Sequence, residues 1–299
     1  MEGAAGKSTV RPGTRAVAAW LEWYALAGVD CCLGEPRAPA SSPASVTGRD
    51  EAPTPVPAPA PVAADLFGEP VRPRGALADA RELARSCRTL EELKTALESF
   101  DGCALEQTAT RLCFADGSPE APLMLIGEAP GAEEDRRGLP FVGPSGRLLD
   151  RILAWIGFDR RSVWITNAIF WRPPGNRSPT TAELAICQPF LERQIELLRP
   201  ELILFLGGIA ARGLLGVGEG VTRLRGREFL YRPGGAARAI PAMVTFHPAY
   251  LLRQPAQKRL VWRDFLRVRV RLEELAPARL PAVGSAGDAV VSKPRTGGT

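Results

Sequence analysis

The sequence predicts an α/β fold with three layers, α/β/α, around a central four-stranded parallel sheet. Two observations predict it. Four short, continuous apolar runs are bounded by Gly, Pro or Asn, which is typical of strands buried on both faces of a parallel sheet. Helical patterns of apolar residues lie between the runs, and this alternation indicates a parallel sheet covered by helices on both sides.

The predicted elements follow one another regularly along the chain. The strands are Leu123–Ile126, Val163–Thr166, Leu202–Leu206 and Met243–Phe246. Apolar residues at helical spacing predict one helix over residues 148–156 and another over 184–198. After the fourth strand, a last helix is predicted from Leu260 to Leu275.

Composition divides the chain into four parts. Residues 1–35 contain an amphipathic helical pattern with aromatic residues at helical spacing. Residues 36–75 are rich in Pro and Ala and cannot bury enough apolar surface to fold, so we expect an extended linker. We expect one compact domain over residues 76–275 and a disordered tail over 276–299.

Charge, cysteine content and hydropathy narrow the class of protein. The 38 basic residues, nearly all Arg, exceed the 33 acidic ones and give a net charge of +5, which suits a polyanionic partner. Six Cys without regular spacing favour reduced thiols in a cytoplasmic protein. No apolar run approaches the roughly 18 residues of a membrane span, so no membrane association is expected.

Unusual polar and glycine residues stand where the predicted strands end. Gly127 and Glu128 follow the first strand, Asn167 follows the second, Gly207 follows the third and His247 follows the fourth. In open α/β sheets, ligands bind outside the carboxyl ends of the strands. We therefore expect these residues to face one crevice.

Two loops beside this crevice have residue types that bind ligands. Residues 127–135 contain four acidic side chains, which form a solvated turn, bind a metal or act on a cationic centre. Residues 138–146 hold Phe141 between Gly and Pro turns, where it is either a core residue or a stacking platform for a base. His247 is the only histidine, which excludes a zinc site built on several imidazoles.

Four long motifs occur in order. They are GEAPGAEEDRRGLPFVGPSGRLLDRIL at 127–153, WITNAIFWRPPGNRSPTTAELAICQPFL at 164–191, LFLGG at 204–208 and TFHPAYLLRQPAQKRLVW at 245–262. Together they resemble the uracil-DNA glycosylase superfamily, and within it the family 4 branch. The resemblance covers roughly residues 100–265 and leaves out the N-terminal arm and the tail.

The resemblance implies a role for each conspicuous residue of the crevice. Phe141 would stack on an extruded uracil, and Asn167 would read its Watson-Crick edge. Glu128 would polarise the attacking water or stabilise the cationic sugar, and His247 would donate toward uracil O2 as the base leaves. The implied substrate-binding set also includes Gly127, Ala129 and Asp135, the last of which shares with Glu134 a role in shaping the loop.

The resemblance also implies DNA contacts outside the base pocket. Leu251, Leu252 and Arg253 resemble a segment that wedges into the duplex and fills the gap left by the flipped nucleotide. Phosphate contacts are expected from Ser145, Arg172 and Arg177.

Family 4 enzymes resemble one another in four cysteines that hold an iron–sulfur cluster, and this chain departs from that pattern. Cys103 and Cys187 match two of the positions, but Phe100 and Trp171 occupy the other two. Two thiolates cannot complete a four-ligand cluster. We therefore expect no cluster and no other cofactor, with apolar packing of Phe100 and Trp171 in its place.

These expectations favour a monomeric, monofunctional glycosylase that hydrolyses the N-glycosidic bond of uracil in DNA and starts base excision repair. Hypoxanthine and xanthine are open as further substrates. The alternative is a non-catalytic module that recognises lesions or abasic DNA, with the N-terminal helix recruiting a repair or replication protein. A nucleotide-binding enzyme is disfavoured because the sequence has no proper phosphate-loop motif.

Overall fold

A computed structural model of the protein describes residues 75–235 and 238–281. The helix predicted within residues 1–35 and all but residue 75 of the predicted linker lie outside the described residues. Of the predicted tail, only residues 276–281 are described, and Pro277–Arg279 forms a 3-10 helix there. No helix within the described ranges is long and apolar enough to cross a membrane.

The described chain builds a six-stranded, mostly parallel sheet. Its strands are β1 (Asp116–Gly117), β2 (Leu123–Gly127), β3 (Trp164–Asn167), β4 (Leu202–Leu206), β5 (Glu228–Tyr231) and β6 (Ile240–Thr245). Their order across the sheet is β1-β3-β2-β4-β6-β5. The four predicted strands are confirmed as parallel neighbours, β3-β2-β4-β6.

The predicted strand number of four is wrong because two antiparallel strands border the parallel ones. Strand β1 pairs with β3 and has only two residues, Asp116 and Gly117, so it leaves no apolar run in the sequence. Strand β5 pairs with β6, and only its last residue, Tyr231, is buried. Strand β1 therefore owes its position to pairing with a neighbour, and β5 exposes Leu230 in the middle of its short apolar run.

Nine α-helices connect and cover the strands of the described chain. They are α1 (Ala76–Ser86), α2 (Leu90–Glu98), α3 (Ala132–Arg137), α4 (Pro144–Trp155), α5 (Thr181–Leu198), α6 (Gly208–Leu215), α7 (Val221–Leu224), α8 (Pro248–Arg253) and α9 (Lys258–Leu275). The three helices predicted from periodicity correspond to α4, α5 and α9.

Alternate side chains of the central strands belong to two separate apolar clusters, one on each face of the sheet. From β2, Met124 and Ile126 join a cluster with residues of α1, α2, α5 and α6. Leu123 and Leu125 join the other cluster, with residues of α4, α8 and α9. This division follows from the two-residue repeat of a strand. The predicted three-layer α/β/α architecture is confirmed.

The strand register brings the carboxyl ends of the parallel strands together. Gly127, the last residue of β2, is paired with Asn167, the last residue of β3. On the other side, Leu206 of β4 is paired with Thr245 of β6, two residues before His247. The residues expected at the crevice therefore leave the sheet along one edge.

A buried ion pair anchors α9 behind this edge. Asp264 of α9 is 1% exposed, and its carboxylate accepts hydrogen bonds from the Arg225 guanidinium at 2.8 Å and the Thr245 hydroxyl at 2.7 Å. The guanidinium of Arg225 also lies over the ring of Phe246, 5.5 Å from its centroid. The network thus connects the last helix to the segment that precedes His247.

We expect the substitution Asp264→Ala to lower the free energy of unfolding by about 3 kcal/mol, because it leaves the mostly buried Arg225 charge without its partner. Chemical denaturation measures this change. The control is Glu274→Ala on the same helix, which removes a 57% exposed carboxylate while Arg271 keeps its second partner, Glu228, and should cost less than about 0.5 kcal/mol. Equal losses in the two variants would contradict a special role for the buried pair.

Candidate active site

A cavity of about 490 Å³ opens at the carboxyl edge of the sheet. Its walls contain nine residues that matter below: Glu128, Ala129, Glu134, Phe141, Ser145, Asn167, Arg177, His247 and Arg253. Residues from four separate segments of sequence therefore meet around one space. This is the convergence expected at the ligand-binding edge of an open α/β sheet.

Glu128 provides a carboxylate on one wall of the cavity. It directly follows β2 and is partly buried, and this burial raises its pKa above the ordinary value of 4.5. A hydrogen bond donated by the Ser178 hydroxyl and the positive charge of Arg212 act in the opposite direction and favour the ionised form. The site therefore holds a partly desolvated carboxylate in which two neighbours stabilise the negative charge.

Asn167 and Phe141 meet over Gly127. Asn167 is 1% exposed, and its Oδ1 is buried without a hydrogen-bond partner among the described residues. A Cβ atom at Gly127 would lie 2.4 Å from this Oδ1 and 2.5 Å from the ring of Phe141. Only glycine fits there, and an unpaired amide oxygen beside an aromatic ring is suited to a planar polar ligand.

His247 begins α8 and is held by its own helix. Its Nδ1 accepts a hydrogen bond from the backbone N–H of Ala249 at 3.1 Å, and its ring centroid lies 5.4 Å from that of Phe141. Because Nδ1 is an acceptor, the neutral imidazole carries its proton on Nε2. Burial, together with the positive charge of Arg253, lowers the pKa of His247 to about 4. The cavity therefore contains a neutral hydrogen-bond donor.

The structure corrects the prediction that Asp135 binds the substrate. Asp135 is 5% exposed, and its two carboxylate oxygens accept hydrogen bonds from the backbone N–H groups of Thr110 and Arg111 and from the Thr110 hydroxyl. With its acceptors engaged by this segment, Asp135 is not among the residues of the cavity wall. It instead ties α3 to residues 110 and 111.

The structure also corrects one residue of the predicted wedge into DNA. Leu251 is fully buried in the apolar cluster beneath α8, so it presents no surface to DNA. The next residue, Leu252, is 47% exposed, and Arg253 contributes to the cavity wall. Consecutive residues of a helix point in different directions, and this short helix puts one leucine inside and the other outside.

The three residues predicted to contact phosphate differ in the hydrogen bonds that their side chains already make within the protein. Arg177 donates to both carboxylate oxygens of Glu183, at 2.9 and 2.6 Å, and this pair lowers the pKa of Glu183 to about 2. Arg172 donates to Asn176 at 2.8 Å. Ser145 lies in the first turn of α4 at the cavity wall. Gly127 and Ala129 flank Glu128 as predicted from the motif.

Sequence reasoning missed two residues that act on Glu128. Ser178 precedes the capping box of α5, in which Thr180 and Glu183 bond each other, and Arg212 lies in α6. Their position near Glu128 depends on how the loop before α5 and the helix after β4 fold over the cavity. The only signal in the sequence is that both follow strands whose ends border the crevice.

Comparisons with known proteins agree with this geometry. The uracil DNA glycosylase superfamily profile matches residues 114–266, which include every cavity residue named above. The chain belongs to the uracil-DNA glycosylase superfamily. It is 36% identical over 186 residues to the type-4 uracil-DNA glycosylase of Sulfurisphaera tokodaii, an alignment that covers 60% of this chain and 84% of that protein.

Other members of the superfamily are similar over the same region. The type-4 uracil-DNA glycosylase of Thermotoga maritima is 36% identical over 178 residues, which cover 58% of this chain and 90% of the relative. The type-5 uracil-DNA glycosylase of Thermus thermophilus is 32% identical over 180 residues, which cover 54% and 78% of the two chains. The predicted resemblance to family 4 is confirmed.

The iron–sulfur cluster implied by family 4 does not fit the side chains of this superfamily member. Cys103 and Cys187 are fully buried and share a hydrogen bond. In the same apolar cluster, Phe100 packs against Phe190 with ring centroids 5.1 Å apart, and Trp171 is 3% exposed. The described residues include no group of three or more His, Cys, Asp or Glu that could hold a metal ion.

We expect the imidazole of His247 to titrate with a midpoint near pH 4 in the folded protein, because the pocket disfavours its charged form. NMR of the untagged protein measures this directly, since the chain has one histidine and its signal needs no assignment. In denaturant the same signal should titrate at about 6.5. A folded-state midpoint near 6.5 would contradict the neutral donor.

The lowered pKa of His247 also makes the stability of the fold depend on pH. Because the folded-state pKa lies below the unfolded one, neutral His247 contributes its full stability above about pH 6.5, and this contribution is lost as the pH falls toward 4.

Proposed function

We propose that this protein is a uracil-DNA glycosylase that hydrolyses the N-glycosidic bond of uracil in DNA and leaves an abasic site. The observation that carries the proposal is the meeting of Glu128, Phe141, Asn167 and His247 around one cavity. The printed names of the type-4 and type-5 relatives support the same activity. A cavity of about 490 Å³ is large enough for a single extruded base with its sugar.

Two residues act on the base in this proposal. The amide of Asn167 donates to and accepts from the Watson-Crick edge of uracil, which uses the unpaired Oδ1. The Nε2–H of His247 donates to uracil O2. As the glycosidic bond breaks, its electron pair moves onto the base, and a neutral donor stabilises the resulting anion without first giving up a proton.

Glu128 acts on the sugar side of the bond. As the base departs, positive charge develops on the sugar, and the carboxylate of Glu128 stabilises it. The same carboxylate accepts a hydrogen bond from the water whose oxygen forms the new bond to the anomeric carbon, takes up the proton that this water loses, and passes it to solvent. The hydrogen bond from Ser178 and the charge of Arg212 favour the ionised form of Glu128, against the burial that raises its pKa.

DNA is held by the surface around the cavity mouth. In the proposed complex Leu252 occupies space in the duplex when the nucleotide is extruded, which its exposure next to Arg253 supports. Ser145 and Arg172 provide polar contacts for phosphates. We propose that the protein acts as a cytoplasmic monomer, and that any repair or replication partner binds through the N-terminal 35 residues.

A lesion-recognition module without catalysis is the second candidate. It needs the stacking ring of Phe141 and the amide of Asn167, but it does not need a desolvated carboxylate and a neutral imidazole in the same cavity. The positions of Glu128 and His247 on the same cavity therefore favour hydrolysis.

We expect the wild-type protein to convert a uracil-containing oligonucleotide to an alkali-labile product, and Glu128→Gln to lower the single-turnover rate roughly 10²-fold or more. His247→Ala should lower the rate by a similar factor, as loss of an oxyanion donor does. The matched control is Glu133→Gln, which changes a half-buried carboxylate of α3 outside the cavity wall and should retain the wild-type rate. Oligonucleotides with hypoxanthine or xanthine, run in parallel, measure substrate breadth.

Tight binding of the uracil oligonucleotide without scission would identify the recognition module instead. Equal rates for wild type and Glu128→Gln would show that the carboxylate has no part in the reaction.

We further propose that the protein works without an iron–sulfur cluster, supported by the packing of Phe100 and Trp171 at the two missing ligand positions. Protein purified without exposure to oxygen should contain no stoichiometric iron or acid-labile sulfide, and should show no visible absorption band. The double variant Phe100→Cys with Trp171→Cys tests whether the four-cysteine pattern alone restores binding. Stoichiometric iron and sulfide in the wild type would refute the proposal.

A further inference from the structure

The loop that carries Phe141 is held by a charge from outside the cavity. Phe141 has a φ of 54°, a left-handed conformation that bulky residues rarely adopt. We infer that Arg160 is a positioning residue that fixes Phe141 in this conformation and so sets the stacking surface for the base. The inference rests on the proposed function only for the identity of that base.

The contacts of Arg160 surround the unusual residue. Its guanidinium donates to the carbonyl oxygen of Pro140 at 3.2 Å and to the carbonyl oxygen of Phe141. These carbonyls belong to the two peptide groups on either side of the Phe141 Cα. Because each peptide group is planar, fixing both of them fixes φ and ψ at Phe141 together. A planar fork of donors is suited to this task, whereas a single ammonium group is not.

Two carboxylates hold the guanidinium in place. Nε of Arg160 donates to Asp150 of α4 at 2.8 Å, and Nη1 donates to Asp116 of β1 at 2.7 Å. The Arg160 side chain is 23% exposed, so these charge-assisted bonds are only partly screened by solvent. Gly117 lets β1 approach this closely, because a Cβ atom there would lie 1.9 Å from the carbonyl oxygen of Val163.

A second charge holds the other side of the same loop. Oε1 of Glu134 accepts hydrogen bonds from the backbone N–H of Val142 at 2.9 Å and of Gly143 at 2.8 Å. The Arg160 guanidinium thus binds the carbonyl oxygens of residues 140 and 141, and the Glu134 carboxylate binds the amide groups of residues 142 and 143, just before α4 begins. Helix α4 also packs closely against this loop, since a Cβ atom at Gly146 would lie 1.7 Å from the Phe141 carbonyl oxygen.

The ring of Phe141 is closely surrounded by the groups that bind the base in the proposed reaction. The ring of Phe141 lies so near the end of β2 that even a methyl group at Gly127 would be 2.5 Å from it. Its centroid is 5.4 Å from that of the His247 ring. A change of φ at Phe141 would move the ring relative to both Asn167 and His247, which are the groups that bind the base in the proposed reaction.

The test compares Arg160→Gln with Arg161→Gln. The control residue is the next in sequence, is 87% exposed and bonds only to Asp159 among the described residues. We expect Arg160→Gln to lower the single-turnover rate of uracil excision about tenfold or more and Arg161→Gln to leave it unchanged. Arg160→Lys keeps the charge without the fork, and its rate should stay below half that of wild type.

A double-mutant cycle separates positioning from general destabilisation. In a Phe141→Leu background the stacking ring is already absent, so Arg160→Gln should lower the rate less than threefold further. Equal losses in the two backgrounds, or no loss in the wild-type background, would overturn the inference. Asp150→Asn, which retains Arg160 but removes one of its anchors, should lower the rate in the same direction and gives a second variant if Arg160→Gln does not fold.

A crystal structure of the Arg160→Gln or Asp150→Asn variant tests the inference without any activity. We expect Phe141 to leave the positive-φ region in at least the first of these. A Phe141 that keeps its φ near 54° in both would overturn the positioning role. A wild-type protein that fails to excise uracil would instead refute the proposed function, and it would leave this structural readout intact.

Discussion

The close approach of two side chains over a glycine is the constraint on which the site depends. Gly127 ends β2 in register with Asn167, and the space that a side chain would occupy there is taken by the Asn167 amide and the Phe141 ring. The Asn167 amide is thereby supported by the backbone of a parallel sheet with both faces covered. The segments that follow β2 and β6 position Phe141 and His247 beside this end of the sheet.

The two titratable groups of the cavity, His247 and Glu128, have different electrostatic surroundings. His247 remains neutral because its surroundings are desolvated and Arg253 is near, while its Nδ1 is engaged by the backbone of α8. Glu128 experiences the same desolvation, but Ser178 and Arg212 favour its charge. His247 is thereby neutral, and the neighbours of Glu128 act against the rise in its pKa that burial causes.

Much of this arrangement could be predicted because it depends on local patterns. Continuous apolar runs identify the four central strands, and the residues that follow them identify the edge where a ligand binds. The motifs then place Phe141 and His247 in the same cavity. The edge strands were missed for different reasons, since β1 has only two residues and no apolar run, whereas β5 has a short apolar run, residues 229–231, of which only Tyr231 is buried.

The errors have equally specific causes. Leu251 and Leu252 are adjacent and chemically identical, so only the orientation of α8 reveals which is buried. Asp135 is a residue type that often binds ligands, but its hydrogen-bond partners, Thr110 and Arg111, lie 25 and 24 positions earlier in the chain. Arg160 meets Asp116 across 44 positions, and no short motif contains both. Such pairings are products of the tertiary fold and have no local sequence signature.

The pH dependence of single-turnover uracil excision, measured for the wild type and for Glu128→Gln, tests the account most directly. We expect the wild-type rate to rise with pH through the ionisation of Glu128, with a midpoint above 4.5, and not to fall as the pH passes 6.5; in Glu128→Gln this rise should be lost. A rate that falls as the pH rises through about 6.5, and still does so in Glu128→Gln, would show that His247 acts as a cation and would contradict it.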